Sequence, residues 1–274
     1  FKDHKTALKV HGGRFFEVTK TYYISQAKTA MSDTIYYTVP KWGQLIELYR
    51  IPAVNRFSVD PDVTHPSMDQ FTAGIEQVLG RDLSASISFI YKDWNNFIEP
   101  VNIKGIFEPV SVKDPETGQV ITVYNQLNPG ADRYYITNPE KGKDIGAAYP
   151  DIVTRTPDRK YKALEISLTK RLSNKWQLFA SYVYSSEKGS YPNSHGYGQT
   201  LNMGRSAMFY NPNNQINMYG HSVINVPHVV KIQGTYFLPF DFIFSGFYTY
   251  HSGLKWSRRI LITGLKHCLL YTSD

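Results

Sequence analysis

Residues 161–185 read YKALEISLTKRLSNKWQLFASYVYS. Leu164, Ile166, Leu168 and Leu172 fall on one side of a two-residue period, and Glu165, Ser167 and Thr169 fall on the other. Ser173-Asn174 turns the chain. Trp176, Leu178, Ala180, Tyr182 and Tyr184 then alternate against Gln177, Ser181 and Ser185. A helix would set like residues three or four apart, so helical spacing fits neither half. The stretch reads as an antiparallel hairpin whose two faces meet different surroundings.

The same design occurs twice more. Phe71, Ala73, Ile75 and Leu79 oppose Gln70, Thr72, Gly74 and Glu76; Gly80-Arg81-Asp82 turns; Leu83, Ala85, Ile87, Phe89 and Tyr91 oppose Ser84, Ser86 and Ser88. Val230, Ile232, Tyr236 and Leu238 oppose Lys231, Gln233 and Thr235, and beyond Pro239-Phe240-Asp241 the chain returns along Phe242, Phe244, Gly246, Tyr248 and Tyr250. Thr6–Glu17 reads as a seventh strand, with Arg14 interrupting its apolar side. Thr34–Val39 and Gln44–Arg50 are expected to be strand extensions or loop strands, and residues 107–113 and 119–124 to form a small hairpin around DPETG.

Connections within each pair take two or three residues, as hairpin turns do. Between pairs the chain runs roughly 60 residues and then nearly 40, lengths rare for irregular connections in compact domains. Short turns on one rim and long loops on the other are the layout of outer-membrane barrels, whose strands alternate apolar and polar. The fold class expected is therefore all-β: an antiparallel meander of long strands, part of a transmembrane β-barrel with short periplasmic turns and long extracellular loops. Phe71, Ile87, Leu168 and Phe244 are assigned to the lipid-facing side. Tyr91, Tyr182, Tyr184, Tyr248 and Tyr250 are placed near the long-loop ends of that side, and Trp176 near a short-turn end, as interfacial girdles require. Glu76, Glu165, Lys231 and Gln233 are assigned to the lumen.

Composition agrees. The 274 residues include 21 Tyr and 15% aromatics, too rich for a disordered chain. No apolar run is long enough for a membrane helix. A net charge of +7, scattered along the chain, does not argue for nucleic acid. The one cysteine, Cys268, excludes a disulfide framework and a cysteine-ligated zinc site. That cysteine opens CLLYTSD, residues 268–274, which match the translation of a transposase adapter used in sequencing libraries. These seven residues are read as an artefact, residues 1–267 as the barrel portion, and both ends as cuts in a longer chain.

In order, the DQF-x-x-G-x-E opening at Asp69–Glu76, the Y-x-x-L-E-x-x-L-x-K-R strand at Tyr161–Arg171, the W-x-L-x-x-S-Y-x-Y-S strand at Trp176–Ser185 and the PHVVKIQGTYFLP block at Pro227–Pro239 resemble TonB-dependent outer-membrane receptors, nearest their Oar-like branch. The resemblance implies uptake of a scarce nutrient through a plugged barrel, driven by the TonB energy-transducing complex, with no bond chemistry and no cofactor. Members close with about 22 strands, so six or seven imply about a third of a barrel without its plug. The rival is a soluble or surface-anchored β-rich carbohydrate-binding or adhesion module.

Chemical motifs are sparse. Asp60, Asp62, Asp69 and His65 cluster, but two prolines and a following strand make VDPDVTHPSMD a solvated rim with turn-capping aspartates rather than a metal site. Glu76 and Glu165 share the polar side with no spacing that pairs them for acid–base work. No nucleophile elbow, phosphate loop or histidine metal motif is present. Tyr191, Tyr197, Tyr210 and Tyr219, together with the amides of NPNNQIN at 211–217, offer stacking and paired hydrogen bonds to a loop-captured ligand.

Overall fold

The computed structural model describes residues 5–16, 34–41, 43–51, 56–145, 155–190, 209–222, 224–255, 258–262 and 269–273. Seventeen strands are present among them: β1 (Thr6–Phe16), β2 (Thr34–Lys41), β3 (Gln44–Ile51), β4 (Phe57–Val59), β5 (Ser67–Val78), β6 (Leu83–Asn95), β7 (Glu99–Asn102), β8 (Phe107–Lys113), β9 (Val120–Gln126), β10 (Tyr134–Thr137), β11 (Arg159–Ser173), β12 (Trp176–Gly189), β13 (Gly220–His221), β14 (His228–Phe237), β15 (Ile243–His251), β16 (Arg258–Ile262) and β17 (Leu269–Ser273).

Seven long strands make one antiparallel sheet in the order β1-β5-β6-β11-β12-β14-β15, with the short β13 added beside β12. The three hairpins read from the alternation are its β5–β6, β11–β12 and β14–β15 pairs. Each is closed tightly. Leu79 N–H donates to Leu83 O across the first turn at 2.8 Å. Asn174 and Lys175 carry positive φ (50° and 66°) in the second, the pair of left-handed residues that a two-residue hairpin turn demands. In the third, Phe240 and Asp241 take φ 63° and 60°, and the Phe240 side chain stands 91% exposed.

Among the described residues, no layer packs on the apolar face of the sheet. Ala163 is the one buried hydrophobic residue of the seven long strands among the described residues. The apolar side chains on its period-two face stay open: Ile75 46%, Ile166 42% and Phe244 68%. A two-sheet sandwich buries this face as its core.

Burial lies instead in the long connections. β4, β10 and β7 form a three-stranded sheet, with β4 parallel to β10, and β8 pairs with β9 as the expected small hairpin from Lys113–Val120 outward. Val101, Phe107 and Phe209 pack as one cluster, and Ile121 and Val123 as a second that also receives Ile216 and Ile262. Among the described residues, β2 and β3 pair only with each other, as do β16 and β17. The segments 34–39 and 44–50 are thus a separate hairpin and not extensions of the sheet. The long connections form a folded cap, and β4, β7 and β10 are too short for periodicity to announce them.

Candidate functional site: a two-faced sheet under a folded cap

Residues directly opposite in an antiparallel pair share a face, so the register sorts the sheet. One row runs Leu8–Ile75–Ile87–Ile166–Tyr182–Val230–Tyr250 across all seven strands. Neighbouring rows on that face are Val10–Ala73–Phe89–Leu164–Tyr184 and Gln77–Ala85–Leu168–Ala180–Ile232–Tyr248. Phe71 and Tyr91 pair above them, and Trp176, Tyr236 and Phe244 align below. All ten residues assigned to lipid or girdle therefore lie on one face.

The aromatic line on that face is oblique to the rows. From Tyr91 on β6 to Tyr250 on β15 it descends four residues while crossing four strand-to-strand steps. At about 3.4 Å per residue and about 4.8 Å per strand, the line slopes roughly 35° from the perpendicular to the strands. The short turns descend likewise: Leu83 ends the first hairpin on the row of Gly246, whereas the third hairpin continues to Phe242, four residues further. Strands tilted about 35–45° in a membrane turn such slopes into level rims. Along β11, Lys162 and Lys170 bracket Leu164, Ile166 and Leu168. The eight residue steps from Lys162 to Lys170 measure about 27 Å along the strand, or about 21 Å along the normal at about 40° tilt, near the apolar band of about 25 Å. Lys170 folds its ammonium over the Trp176 ring at 4.9 Å, placing a cation and an amphipathic ring together at the short-turn edge.

On the other face one row reads Ala7–Glu76–Ser86–Ser167–Ser181–Lys231–Thr249. Ser86 and Ser167 hydroxyls lie 2.7 Å apart. Lys9 Nζ donates to Glu76 at 2.5 Å. Glu165 sits one row higher, and Gln233 shares a row with Ser84 and Thr169. Glu76 and Glu165 stand two strands and one row apart, consistent with the absence of a pairing motif. Glu165 and Lys231, at the same separation, border one space: with Tyr161, Ser181, Phe179 and Val229 they line an open cavity of about 560 Å³ beneath residues 224–226. Neither makes a hydrogen bond or ion pair among the described residues. Glu187, at the upper wall, is tied to Arg159 Nε at 2.9 Å. This face is not uniformly polar, since Phe179, Val183 and Phe247 also belong to it.

Of the four loop tyrosines, Tyr191 and Tyr197 lie outside the described residues. Tyr219 is half exposed, with the Arg155 guanidinium over its ring at 4.6 Å. Tyr210 is 5% exposed, its ring 4.2 Å from that of Tyr134, which also stacks on Phe57. Burial holds the Tyr134 phenol well above the usual range. Tyr210 thus serves the cap interior in this conformation and is not presented outward.

The amides expected to face a ligand hold the cap together. Asn213 is 4% exposed; its Oδ1 accepts from Tyr124 N–H at 2.7 Å while its Nδ2 donates to Tyr124 O at 2.7 Å. One side-chain amide thereby imitates a strand partner, because it carries the peptide group's own donor and acceptor. Asn138 does the same for Thr64, accepting from its N–H at 2.7 Å and donating to its carbonyl at 3.0 Å. Asn102 donates to Asp132 and to Tyr210 O and accepts from Gly105 N–H.

Asp60 departs from the sequence reading too. It caps a turn, accepting from Asp62 N–H at 3.0 Å, but it is 5% exposed and not solvated. The Thr137 hydroxyl donates to it and Lys143 Nζ closes at 2.9 Å. The Thr137 hydroxyl, with Lys143 and the Asp62 N–H, holds its carboxyl far below the usual carboxylate range against the opposing effect of burial. Its charge is met within the protein.

A family described as an outer membrane beta barrel domain matches residues 13–245. The chain belongs to that family. Its sheet is part of an outer-membrane β-barrel. The TonB-dependent transporter Oar of Myxococcus xanthus is 24% identical over 169 residues, a match covering 61% of this chain and 13% of that protein. The outer membrane transporter YddB from Escherichia coli superposes with a TM-score of 0.39 at 12% identity, covering 80% of this chain and 26% of the other. The chain thus spans about an eighth of the length of the first relative and about a quarter of the second.

Proposed function

We propose that this chain is a wall segment of a TonB-energised outer-membrane receptor that takes up a nutrient ligand. The observation that carries the reading is the uncovered apolar face, of membrane height and with obliquely aligned aromatic edges, beneath a cap with its own cores. On this reading Phe71, Ile87, Leu168 and Phe244 meet acyl chains, and Trp176, Tyr91, Tyr182, Tyr184, Tyr248 and Tyr250 meet the interfaces. Glu76, Glu165, Lys231 and Gln233 line the wet side. The Oar resemblance supports TonB dependence. No bond is made or broken; the wall excludes lipid from the path, and the cap, with Tyr219 and the segment holding Tyr191 and Tyr197, captures ligand. Residues 268–274 are adapter-derived, and resequencing the gene through codon 274 tests that directly.

The soluble binding-module reading needs a second layer over Leu164, Ile166 and Phe244, and none lies there among the described residues. The test is cellular. The intact protein should fractionate with the outer membrane, shift in gel mobility on boiling, and support ligand accumulation that stops when the TonB complex is removed. Accumulation indifferent to TonB removal would discard the energised-uptake reading, and extraction without detergent would discard the wall itself.

A further inference from the structure

Lys160 of β11 lies directly opposite Lys188 of β12, and Lys162 follows two residues along on the same face, at its cap-side end. All three are exposed. Like charges directly opposite one another destabilise a sheet, so the arrangement calls for an anion. The protein supplies too few. Arg14 and Asp69 satisfy each other through two hydrogen bonds of 2.6 and 2.8 Å. Asp93 comes no nearer to Lys160 than 3.9 Å and also accepts from the Tyr91 hydroxyl at 3.1 Å. Lys162 sits 6.0 Å above the Tyr91 ring centroid, and neither it nor Lys188 has an ion-pair partner among the described residues. His221, opposite Lys188 on β13, adds no negative charge. Asp158, two residues before Lys160, accepts from Ser190 N–H and hydroxyl. Lys162 and Lys188 are thus left without a carboxylate partner among the described residues where the apolar face ends, two residues beyond Leu164 and four beyond Tyr184.

We infer that Lys160, Lys162 and Lys188 form a docking site for the phosphate-bearing headgroup of an outer-leaflet lipid whose acyl chains lie down the face along Leu164 and Ile166. This rests on the reading that this face meets lipid. Charge complementarity selects the occupant: three exposed ammonium groups at the cap-side end of one face are point charges suited to a phosphate, and the apolar strip below matches an acyl tail and offers nothing to a soluble anion.

The test uses the full chain and flotation with two vesicle types, phosphatidylcholine alone and phosphatidylcholine carrying lipid A, a phosphomonoester lipid. Wild type should prefer the lipid A vesicles. The preference should fall about fivefold for each lysine changed to glutamine, and about a hundredfold in the variant combining Lys160→Gln, Lys162→Gln and Lys188→Gln. Lys92→Gln, at the same height but on the opposite face, should leave it intact, with far-UV circular dichroism confirming β structure in every variant. Equal binding to both vesicles, or a triple variant that keeps its preference, overturns the lysine site while the lipid-facing reading stands. Binding to lipid A vesicles alone overturns the lipid-facing reading while the lysine site stands, and binding to neither overturns both. Loss of the preference to inorganic phosphate at constant ionic strength reassigns the site to a free anion and overturns the lipid as occupant.

Discussion

Arginine at position 166 gives the sharpest test of which face meets lipid. Ile166 lies four residues from both Lys162 and Lys170, so it stands about 14 Å along β11 from either cation and at the middle of the apolar band. Its register partners are Ile87 and Tyr182, which leave a guanidinium without a counter-charge on either side. Arginine at a barrel's lipid midplane costs about 2–4 kcal/mol, falling to about 0–1 near the interfaces. Ile166→Arg should therefore lower the folded-to-unfolded ratio by about 30-fold to 700-fold. Leu164→Arg and Leu168→Arg, each two residues from a bracketing lysine, should cost clearly less. Thr169→Arg, facing the other way between Ser84 and Phe179, should cost least of the set. Denaturant titration of the protein in phospholipid vesicles measures all four. The graded order is the point: equal costs at 164, 166 and 168, or a Thr169→Arg defect as large as that of Ile166→Arg, would refute both the face and the depth assignment.

Asn213→Leu keeps the volume but strips the Tyr124 backbone of a donor and an acceptor, at a cost of about 2–4 kcal/mol to the cap. Hydrogen exchange should show the Tyr124 amide losing protection while β11 and β12 keep theirs. Asp60 predicts an acid response with a definite sign. Its carboxyl is held below its unfolded value of about 3.9, so its contribution is complete above that pH and drains away as pH falls toward the folded value. Limited proteolysis of the cap should accelerate below about pH 4 in wild type, and much of that acceleration should vanish in Asp60→Asn, which starts from lower stability at neutral pH. Gly189→Ala should loosen the cap-side end of the β11–β12 pair, because a Cβ there falls 2.1 Å from the Asp158 carbonyl oxygen and 2.8 Å from the Arg159 Cα. The expected loss is about 1–3 kcal/mol, read as faster exchange of the Ser190 amide, which donates to Asp158 O at 3.0 Å.

Much of the wall was legible from residue order. Leu164, Ile166 and Leu168 against Glu165, Ser167 and Thr169 identify a strand with two unlike faces, because successive side chains on a pleated backbone have no choice but to alternate. Short turns read at 80–82, 173–174 and 239–241, the second lying one residue later at 174–175 in the structure, then force neighbouring strands to pair antiparallel. The cap was not legible in the same way. Asn211, Asn213 and Asn217 look alike in one dimension, and only the fold singles out Asn213 as the amide clamped to Tyr124, 89 residues away. Asp60, read as a rim residue, is buried because Thr137 at the end of β10 and Lys143 beyond it close over its carboxylate.

What the sequence by itself determined is the periodicity, the turns and hence the two faces, since each depends on contacts within a few residues. What only the tertiary structure decided is which side chains from different strands become neighbours: Glu165 and Lys231 on the wall of one cavity, Lys160 against Lys188 at one edge, Tyr91 to Tyr250 along one oblique line. Register is set by the summed pairing of whole strands, so no local run of residues contains it.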